Sequence, residues 1–367
     1  MHLWEKVFTM PNCRKVLPLI FHTITAMILV TGGTGLLGSH FLFELLKEGE
    51  KVRATCRSSS NLDEVKEIFR YYTDEADELL SHIQWIEADM LNYPEVFEAL
   101  EGIEKVYHCA ATVSFDPAHR AKMIRDNTLG TENIVNAALE RGIKKLLHVS
   151  SSSAIGKAPD ASLANEGMIW TESPSNTGYS ISKFRSEMEV WRGIQEGLNA
   201  VIVNPTIVLG PGFWNKGSSK IFSRVDKGLK YYSNGITGYV SVWDTVKASI
   251  ILMKSDINGE RYILSSENLT YRNVFDMVAE ALGKQKPTVE GTQFLTELAW
   301  RADWVKSKLL RLGKLTFSKE NIRVSRSVAR FDNAKIKNAI DFEFEPIQTV
   351  VDRIADYYTD KRYDRDL

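Results

Sequence analysis

The chain has 367 residues, of which 44% are hydrophobic, and its 46 Lys and Arg nearly balance 47 Asp and Glu. This length suits one large domain with a smaller lobe, and the apolar content allows a sizeable core. The formal net charge of −1 excludes a global field that would attract nucleic acid or an anionic membrane. Cys13, Cys56 and Cys109 give neither a disulfide framework nor a metal-ligand spacing, so no metal is expected.

The first 26 residues contain a short apolar stretch after the basic pair Arg14-Lys15, a weak likeness to a signal peptide. Pro18 and His22 interrupt the stretch, no clear cleavage site follows, and it is too short to span a bilayer. We therefore expect residues 1–26 to be an extension outside the fold, or the product of a start codon assigned too early. A cytoplasmic location is predicted.

From Met27 onward, strand-like and helix-like segments alternate. Helical patterns follow residue 36, residue 118 and residue 179, and several of the strands between them are continuous apolar runs. This alternation predicts an α/β fold, a Rossmann-type doubly wound parallel sheet over residues 27–210. Strand-like runs are "MILVTG", "VRATCR", "IQWIEAD", "KVYHCAA", "KKLLHVSS" and "NAVIVNPTIVLG". Residues 211–367 are less regular and predict a smaller mixed α/β substrate lobe, some of whose segments return to the first domain.

The first strand leads into three glycines, Gly32, Gly35 and Gly38, spaced by three residues. Between a buried strand and a helix, such glycines allow a tight turn, approach of backbone amides to a pyrophosphate, and close helix packing. The alternative is an ordinary flexible turn. Because the lysine of a Walker loop is absent, the pattern predicts a dinucleotide site.

The end of the second strand bears on which cofactor binds. Arg57 and Ser58 stand where folds that prefer NAD usually place an acidic residue for the ribose 2′-hydroxyl. A guanidinium beside hydroxyl groups suits a 2′-phosphate, so NADP is favoured and NAD is the alternative. The competing interpretation is a solvated arginine. Asp89 and Met90 are placed at the adenine edge, and Ala110 and Ala111 end the fourth strand beside the cofactor.

The catalytic signal is "YSISK", which contains Tyr179 and Lys183. A spacing of four puts both side chains on one helix face, where an ammonium favours the phenolate and lowers the tyrosine pKa. The common alternative is a surface pair. The preceding strand ends in "HVSSSSAIG", which delivers Ser151 or Ser152 to the edge of the sheet where open α/β folds bind ligands.

A later segment, residues 293–314, has a broad apolar face and a basic second half. The simpler interpretation is a helix that caps the substrate lobe. The alternative is a flap over an apolar substrate or a surface that touches a membrane.

Taken together, these motifs resemble the extended short-chain dehydrogenases/reductases of the NAD(P)-dependent epimerase/dehydratase superfamily, particularly the dihydroflavonol-reductase-like branch. The resemblance runs in the family's order from residue 27 to about residue 350. The stretches that carry it are "VTGGTGLLGSH", "VRATCRSSSN", "EADM", "HCAATVSF", "NTLGTENIV", "HVSSSSAIG", "YSISK", "NPTIVLGPG" and "FDNAKIKNAIDFEFEP".

The resemblance implies catalytic roles. Tyr179 becomes the acid/base, Lys183 its partner and a ligand of the nicotinamide ribose, and Asn127 a support of the proton relay. Counting back five residues from Gly156 selects Ser151 as the catalytic hydroxyl, with Ser152 still open. The cofactor-binding set is Gly32, Thr34, Gly35, Leu36, Leu37, Gly38, Arg57, Ser58, Asp89, Met90, Ala110, Ala111, Tyr179, Lys183, Pro205 and Thr206.

The chain also departs from the superfamily pattern. Ser152 and Ser153 replace the Asp-Glu pair of sugar-nucleotide dehydratases, so elimination of water is not expected. Phe213 and Trp214 are candidates for an apolar substrate wall, or are plain core. The predicted function is an NADP-dependent oxidoreductase acting on a CH–OH or C=O carbon of a small molecule. A nucleotide-sugar epimerase and a non-catalytic NADP-binding sensor or scaffold are the alternatives, and a homodimer is left open.

Overall fold

The computed structural model of the protein describes residues 27–114, 116–156, 158, 162–291 and 319–363. The extension before Met27 and the helix expected over residues 293–314 lie outside the described residues. The strands are β1 (Met27–Thr31), β2 (Lys51–Cys56), β3 (Ile83–Glu87), β4 (Ile103–His108), β5 (Lys145–Val149), β6 (Leu163–Ala164), β7 (Ala200–Pro205), β8 (Ile207–Leu209), β9 (Tyr231–Tyr232), β10 (Ile236–Ser241), β11 (Glu260–Leu264), β12 (Glu267–Thr270), β13 (Val289–Glu290) and β14 (Arg330–Phe331).

Short 3-10 turns at Pro117–His119 and Ser152–Ala154 accompany the α-helices. The helices are α1 (Leu36–Lys47), α2 (Asp63–Phe69), α3 (Ala76–Ser81), α4 (Tyr93–Ala99), α5 (Arg120–Arg141), α6 (Gly178–Gln195), α7 (Lys220–Asp226), α8 (Val242–Lys254), α9 (Tyr271–Ala281), α10 (Lys319–Arg326), α11 (Ala334–Ile340) and α12 (Ile347–Tyr363).

Seven strands form one parallel sheet in the order β3-β2-β1-β4-β5-β7-β11. Side chains alternate across it: Ile28 and Val30 enter the core shared with α1 and α8, whereas Leu29 enters the core shared with α4, α5 and α6. Both faces are therefore covered, as continuous apolar strands require. This confirms the predicted doubly wound parallel sheet. The order reverses between β1 and β4, and their carboxyl ends open the crevice where such folds bind ligands.

The apolar run over residues 199–210 is one segment in sequence but two strands in the structure. It divides at Pro205 into β7, which lies in the main sheet, and β8, which pairs with β10 in a second sheet of order β12-β10-β8. Thr206, at the division, is still bonded to the main sheet, because its N–H and its hydroxyl both donate to the carbonyl of Leu264 at the end of β11, at 3.0 and 3.1 Å. Neighbouring residues of one run thus belong to different sheets.

The second lobe packs α7, α9 and α12 around the small sheet, with Phe222, Tyr239, Val278 and Val351 buried in its core. Several segments beyond residue 210 lie outside this lobe, among them the one that contains Ile336 and Phe342. Helix α8 covers one face of the main sheet, and β11 forms an edge of that sheet beside β7. The chain therefore crosses between the two lobes more than once after residue 210.

Candidate active site

The glycine turn after β1 is shaped by missing side chains. Gly32 has a φ of +67°, and a Cβ there would lie 2.8 Å from the backbone of Ala110. A Cβ on Gly38 would lie 2.1 Å from the carbonyl oxygen of Gly32. A Cβ on Gly35 would meet nothing closer than 3.4 Å. The outer glycines therefore let β4 and α1 approach the turn, and the middle one leaves its outer side open.

Helix α1 begins at this turn, and no side chain accepts a hydrogen bond from its first backbone amides. Its N-cap is Gly35, no side chain caps it, and its first turn, beginning with Leu36 and Leu37, contains no acidic residue. The first amides of a helix lack intrahelical partners and carry a partial positive charge. Together with the open side of Gly35, this arrangement fits a dinucleotide pyrophosphate.

The loop after β2 folds back toward the glycine turn. The Arg57 amide and the Thr34 hydroxyl both donate to the Ser60 hydroxyl oxygen, at 2.9 and 3.4 Å. The side chains of Arg57 and Ser58 are exposed. Arg53, by contrast, donates to the carbonyls of Ala99 and Glu101 at 2.9 and 2.8 Å. The Arg57 side chain is thus exposed to solvent just after β2, whereas the Arg53 side chain is held by hydrogen bonds to backbone carbonyls.

The residues expected at the adenine edge follow the end of β3, and Ala110 and Ala111 follow the end of β4. The exposed Asp89 carboxylate accepts from the Leu91 amide at 3.0 Å, and the Met90 carbonyl accepts from Asn133 at 2.8 Å. The Ala110 amide donates to the Thr31 hydroxyl oxygen at 3.2 Å, and Ala111 is exposed. Because β1 to β4 are parallel, these strand ends share one edge of the sheet.

Beneath that edge, a neutral histidine joins three elements. Thr31 accepts from two backbone amides, so its own hydroxyl donates to His108 Nδ1 at 2.7 Å. Thr131 donates to the Asn127 carbonyl and therefore accepts from His108 Nε2 at 3.2 Å. Burial lowers the pKa of His108 to about 3. The ring thus serves as an uncharged link between β1, β4 and α5.

Ser151 and Tyr179 meet at the end of β5. Ser151 is buried, and its hydroxyl oxygen accepts from the amide and the hydroxyl of Ser153, at 3.2 and 3.0 Å. The Tyr179 side chain is hydrogen-bonded to that of Ser151, and this bond lowers the tyrosine pKa. Burial acts more strongly in the opposite direction, so the net pKa of Tyr179 lies above its usual value. Ser152 begins the short 3-10 turn instead.

Lys183 lies one helical turn beyond Tyr179 and is 5% exposed. Its ammonium donates to the carbonyl of Val149 at 2.9 Å. Burial lowers the pKa of Lys183 to about 8, against the opposing effects of Cys109 and Glu187. The sequence led us to expect a lysine that lowers the tyrosine pKa. In the structure burial dominates both groups and moves both toward their uncharged forms.

Asn127 holds the segment after β4 against α6. Its side-chain oxygen accepts from the Thr112 amide at 2.8 Å, and its nitrogen donates to the Thr112 carbonyl at 2.9 Å. The same nitrogen reaches the Ser182 hydroxyl at 3.3 Å, which in turn donates to the Tyr179 carbonyl at 2.8 Å. Asn127 therefore reaches the Tyr179–Lys183 turn through Ser182.

The residues expected beside the nicotinamide and those expected beside the substrate lie in different parts of the structure. Pro205 ends β7 and Thr206 is buried beside it. Trp214 is partly buried and packs against the second-lobe core. Its indole donates to the Tyr71 hydroxyl at 3.0 Å, and its ring centroid lies 4.9 Å from that of Tyr358. These contacts correspond to the core alternative for Trp214. Phe213 has a φ of +53° and lies under the ammonium of Lys216.

Glu187, a buried carboxylate on α6, was not predicted from the sequence as a functional residue. Glu187 is 1% exposed, and its two oxygens accept from Ser150, Asn204, Arg261 and Trp191. The available signal was its position, four residues after Lys183 on the inward face of α6. Among the described residues no group of three or more His, Cys, Asp or Glu side chains is arranged to hold a metal ion.

Fold and strand-edge geometry together define a Rossmann-type, dinucleotide-dependent enzyme. The chain belongs to the NAD dependent epimerase/dehydratase family, which it matches over residues 28–264. This confirms the resemblance inferred from the motifs and makes the protein an NAD(P)-dependent oxidoreductase. In the described part of the chain, no helix has the length and apolar character to cross a bilayer. The cytoplasmic location stays a prediction.

Two curated proteins and one solved structure illustrate the similarity. Sterol demethylase protein B of Methylococcus capsulatus is 28% identical over 319 residues, which cover 85% of this chain and 92% of that protein. Tetraketide alpha-pyrone reductase 2 of Arabidopsis thaliana is 31% identical, over 68% and 81% of the two chains. The structure of UDP-glucose 4-epimerase from Thermotoga maritima has a TM-score of 0.71 at 20% identity and covers 91% and 99%. At that identity it shows the fold alone.

Proposed function

We propose that the protein is an NADP-dependent reductase or dehydrogenase that moves hydride between the nicotinamide and a carbonyl or alcohol carbon. The observation that carries the proposal is the side-chain hydrogen bond between Tyr179 and Ser151, one helical turn from the buried Lys183. This group stands at the sheet edge that also carries the glycine turn. Proton transfer to a substrate oxygen requires a proton donor within hydrogen-bond reach, and the Tyr179 phenol can be that donor.

The residues at this edge fit the cofactor. The turn of Gly32, Gly35 and Gly38 and the uncapped start of α1 would hold the pyrophosphate, and exposed Arg57 and Ser58 would hold a 2′-phosphate. Asp89, Met90, Ala110, Ala111, Pro205 and Thr206 would line the remaining length. When bound, the nicotinamide supplies or accepts the hydride.

The side chains of the protein then have separate tasks. In reduction, Ser151 donates a hydrogen bond to the substrate carbonyl oxygen, and Tyr179 donates its proton to that oxygen as negative charge develops on it. The Lys183 ammonium stabilises the resulting phenolate. Asn127 holds the segment at Thr112 against α6 and supports return of a proton to Tyr179. Oxidation of an alcohol uses the same groups in reverse.

The test is a turnover screen with the purified full chain. NADPH and NADH are each mixed with aromatic aldehydes, simple ketones, a sterol ketone and a tetraketide α-pyrone, while nicotinamide absorbance is followed. UDP-glucose is incubated separately with NADP+ and NAD+, and the sugar nucleotides are then separated by chromatography. Loss of NADPH absorbance with a carbonyl substrate supports the proposal. Interconversion of sugar nucleotides without net cofactor oxidation would replace it with an epimerase. Tight NADPH binding without any turnover would favour the sensor or scaffold.

A further inference from the structure

Glu187 is a charged side chain in an unusual place. It lies four residues after Lys183 and eight after Tyr179, so all three project from one face of α6. Only 1% of Glu187 is exposed. Carboxylates are almost never buried to this extent unless they are paired, so the partners of Glu187 indicate what it does.

Those partners come from several elements of the sheet. One carboxylate oxygen accepts from the Ser150 hydroxyl and from the Asn204 amide, both at 2.7 Å. The other accepts from the Arg261 guanidinium at 2.9 Å and from the Trp191 indole at 3.3 Å. A single carboxylate thus joins the end of β5, strand β7, strand β11 and helix α6.

The contacts continue into the proposed reaction centre. The Asn204 amide nitrogen that donates to Glu187 also donates to the carbonyl of Ser151, at 3.0 Å. Ser150 and Ser151 are consecutive, so the backbone that carries the Ser151 hydroxyl is held at two points. Removing the carboxylate would leave the Ser150 hydroxyl without its acceptor and the Asn204 amide with only the Ser151 carbonyl.

Glu187 also contributes charge beside Lys183. The titratable groups around Lys183 are His108 and Cys109 from β4 and its end, His148 from β5, and Tyr179 and Glu187 from α6. Burial keeps both histidines neutral, and it raises the pKa of the Cys109 thiol to about 12. Among these described groups, Glu187 is therefore the negative charge that favours the ammonium form of Lys183.

We propose that Glu187 is a positioning residue for the reaction proposed above: it holds the Ser150–Ser151 backbone and places a carboxylate one helical turn from Lys183. The inference rests on that proposed function. A merely structural carboxylate, which only ties β11 to α6 through Arg261, would affect stability but would leave the pH dependence of turnover unchanged.

The first experiment compares Glu187→Gln and Glu187→Asp with wild-type protein. Activity that needs the Lys183 ammonium falls as pH rises through the lysine pKa, about 8 in the wild type. Loss of the carboxylate charge lowers that pKa, so the alkaline limb of kcat/KM in Glu187→Gln should move down by about one pH unit. Glu187→Asp retains the charge and should return the limb toward the wild-type position. Glu189→Gln is the matched control, since Glu189 pairs with Arg192 at the surface of the same helix.

A second measurement does not depend on turnover. NMR titration of protein carrying lysine labelled with ¹³C at Cε, with the Lys183 resonance assigned by its loss in Lys183→Arg, reports the fraction of neutral amine across pH. The midpoint should shift downward in Glu187→Gln by the same amount as the kinetic limb. An unchanged midpoint in folded Glu187→Gln overturns the inference. A wild-type protein without turnover overturns the proposed function instead, and the NMR titration still decides whether Glu187 sets the protonation of Lys183.

Ser150→Ala separates the hold of Glu187 on the Ser151 backbone from its charge beside Lys183. It also tests the proposal if Glu187→Gln does not fold. It removes one donor to the carboxylate and leaves the charge in place. We expect kcat to fall about tenfold, because the Ser151 backbone loses one of its two attachments, with the alkaline limb unmoved. Wild-type kcat in Ser150→Ala would overturn the positioning role.

Discussion

The two halves of the sheet edge are built in opposite ways. At the ends of β1 and β2, which we call the glycine half, the site consists of missing Cβ atoms, backbone amides and the exposed Arg57. At the ends of β4, β5 and β7, the polar half, it consists of buried polar side chains that are hydrogen-bonded, Lys183 and Glu187 among them. Phosphate recognition needs room and donors, whereas proton transfer needs ionisable groups kept from water. Substitutions should therefore affect binding in the glycine half and turnover in the polar half.

The largest effect is expected from Tyr179→Phe in the polar half. The ring remains but the proton donor is lost, so kcat should fall about 10³-fold. Affinity for NADPH, measured by fluorescence titration, should change by less than about twofold. Tyr231→Phe, at an exposed tyrosine, is the matched control. More than a tenth of wild-type kcat in Tyr179→Phe would show that another group moves the proton.

Ser151→Ala and Ser152→Ala form a second pair. Ser151 is hydrogen-bonded to Tyr179, whereas Ser152 begins the 3-10 turn, so only the first should matter for turnover. We expect kcat to fall about 10²-fold in Ser151→Ala, the usual cost of one donor to a developing oxyanion. Ser152→Ala should stay near wild type in the same assay. A larger loss in Ser152→Ala would reassign the catalytic hydroxyl.

Gly38→Ala and Gly35→Ala test the glycine half. A Cβ on Gly38 would overlap the Gly32 carbonyl, so this variant should lose about 1–3 kcal/mol of unfolding free energy and bind NADPH weakly. Gly35 has a φ of −97°, and a Cβ there would make only an ordinary contact at 3.4 Å, so Gly35→Ala should unfold like wild type and still bind NADPH less tightly. Thermal unfolding and fluorescence titration separate the two. Equal destabilisation in both variants would contradict the assigned geometry.

The smallest effect concerns cofactor choice. Arg57→Glu should weaken NADPH binding about tenfold, the equivalent of one charge-assisted hydrogen bond, and leave NADH binding unchanged or improved. Arg57→Lys keeps the charge and should fall between wild type and Arg57→Glu. Parallel titrations with both cofactors measure the ratio. Equal losses for NADPH and NADH would mean that Arg57 does not reach the 2′-phosphate.

The sequence predicts the main sheet well because strands buried on both faces are continuous apolar runs. The same property conceals the division at Pro205, since β7 and β8 are both apolar and only their partners differ. Helices α2 and α3, with seven and six residues, are too short to show an amphipathic stripe, and no helix was predicted there. Local patterns therefore reveal an element more readily than the sheet to which it belongs.

The candidate site likewise contains residues that the sequence predicts and residues that it does not. The glycine turn, Arg57 and the Tyr179–Lys183 pair follow from spacing within a few residues. The role of Glu187 depends on Asn204 and Arg261, which lie 17 and 74 positions away in the chain. Trp214 is comparable, because its partner Tyr71 is 143 positions away. Such side chains are identified by contacts that only the folded chain brings together.

The placement of α8 and β11 limits how this protein could exchange parts with its relatives. A graft that replaced everything after residue 210 would remove the strand that pairs with β7 and a helix that covers the main sheet. Unless the incoming segment supplied a strand and a helix that fit β7 and this face, the recipient domain would expose a sheet edge and an apolar surface, a hazard for aggregation. New substrate preferences in this architecture should therefore evolve through changes in loops and single pocket residues, with the second lobe inherited as a unit with the first.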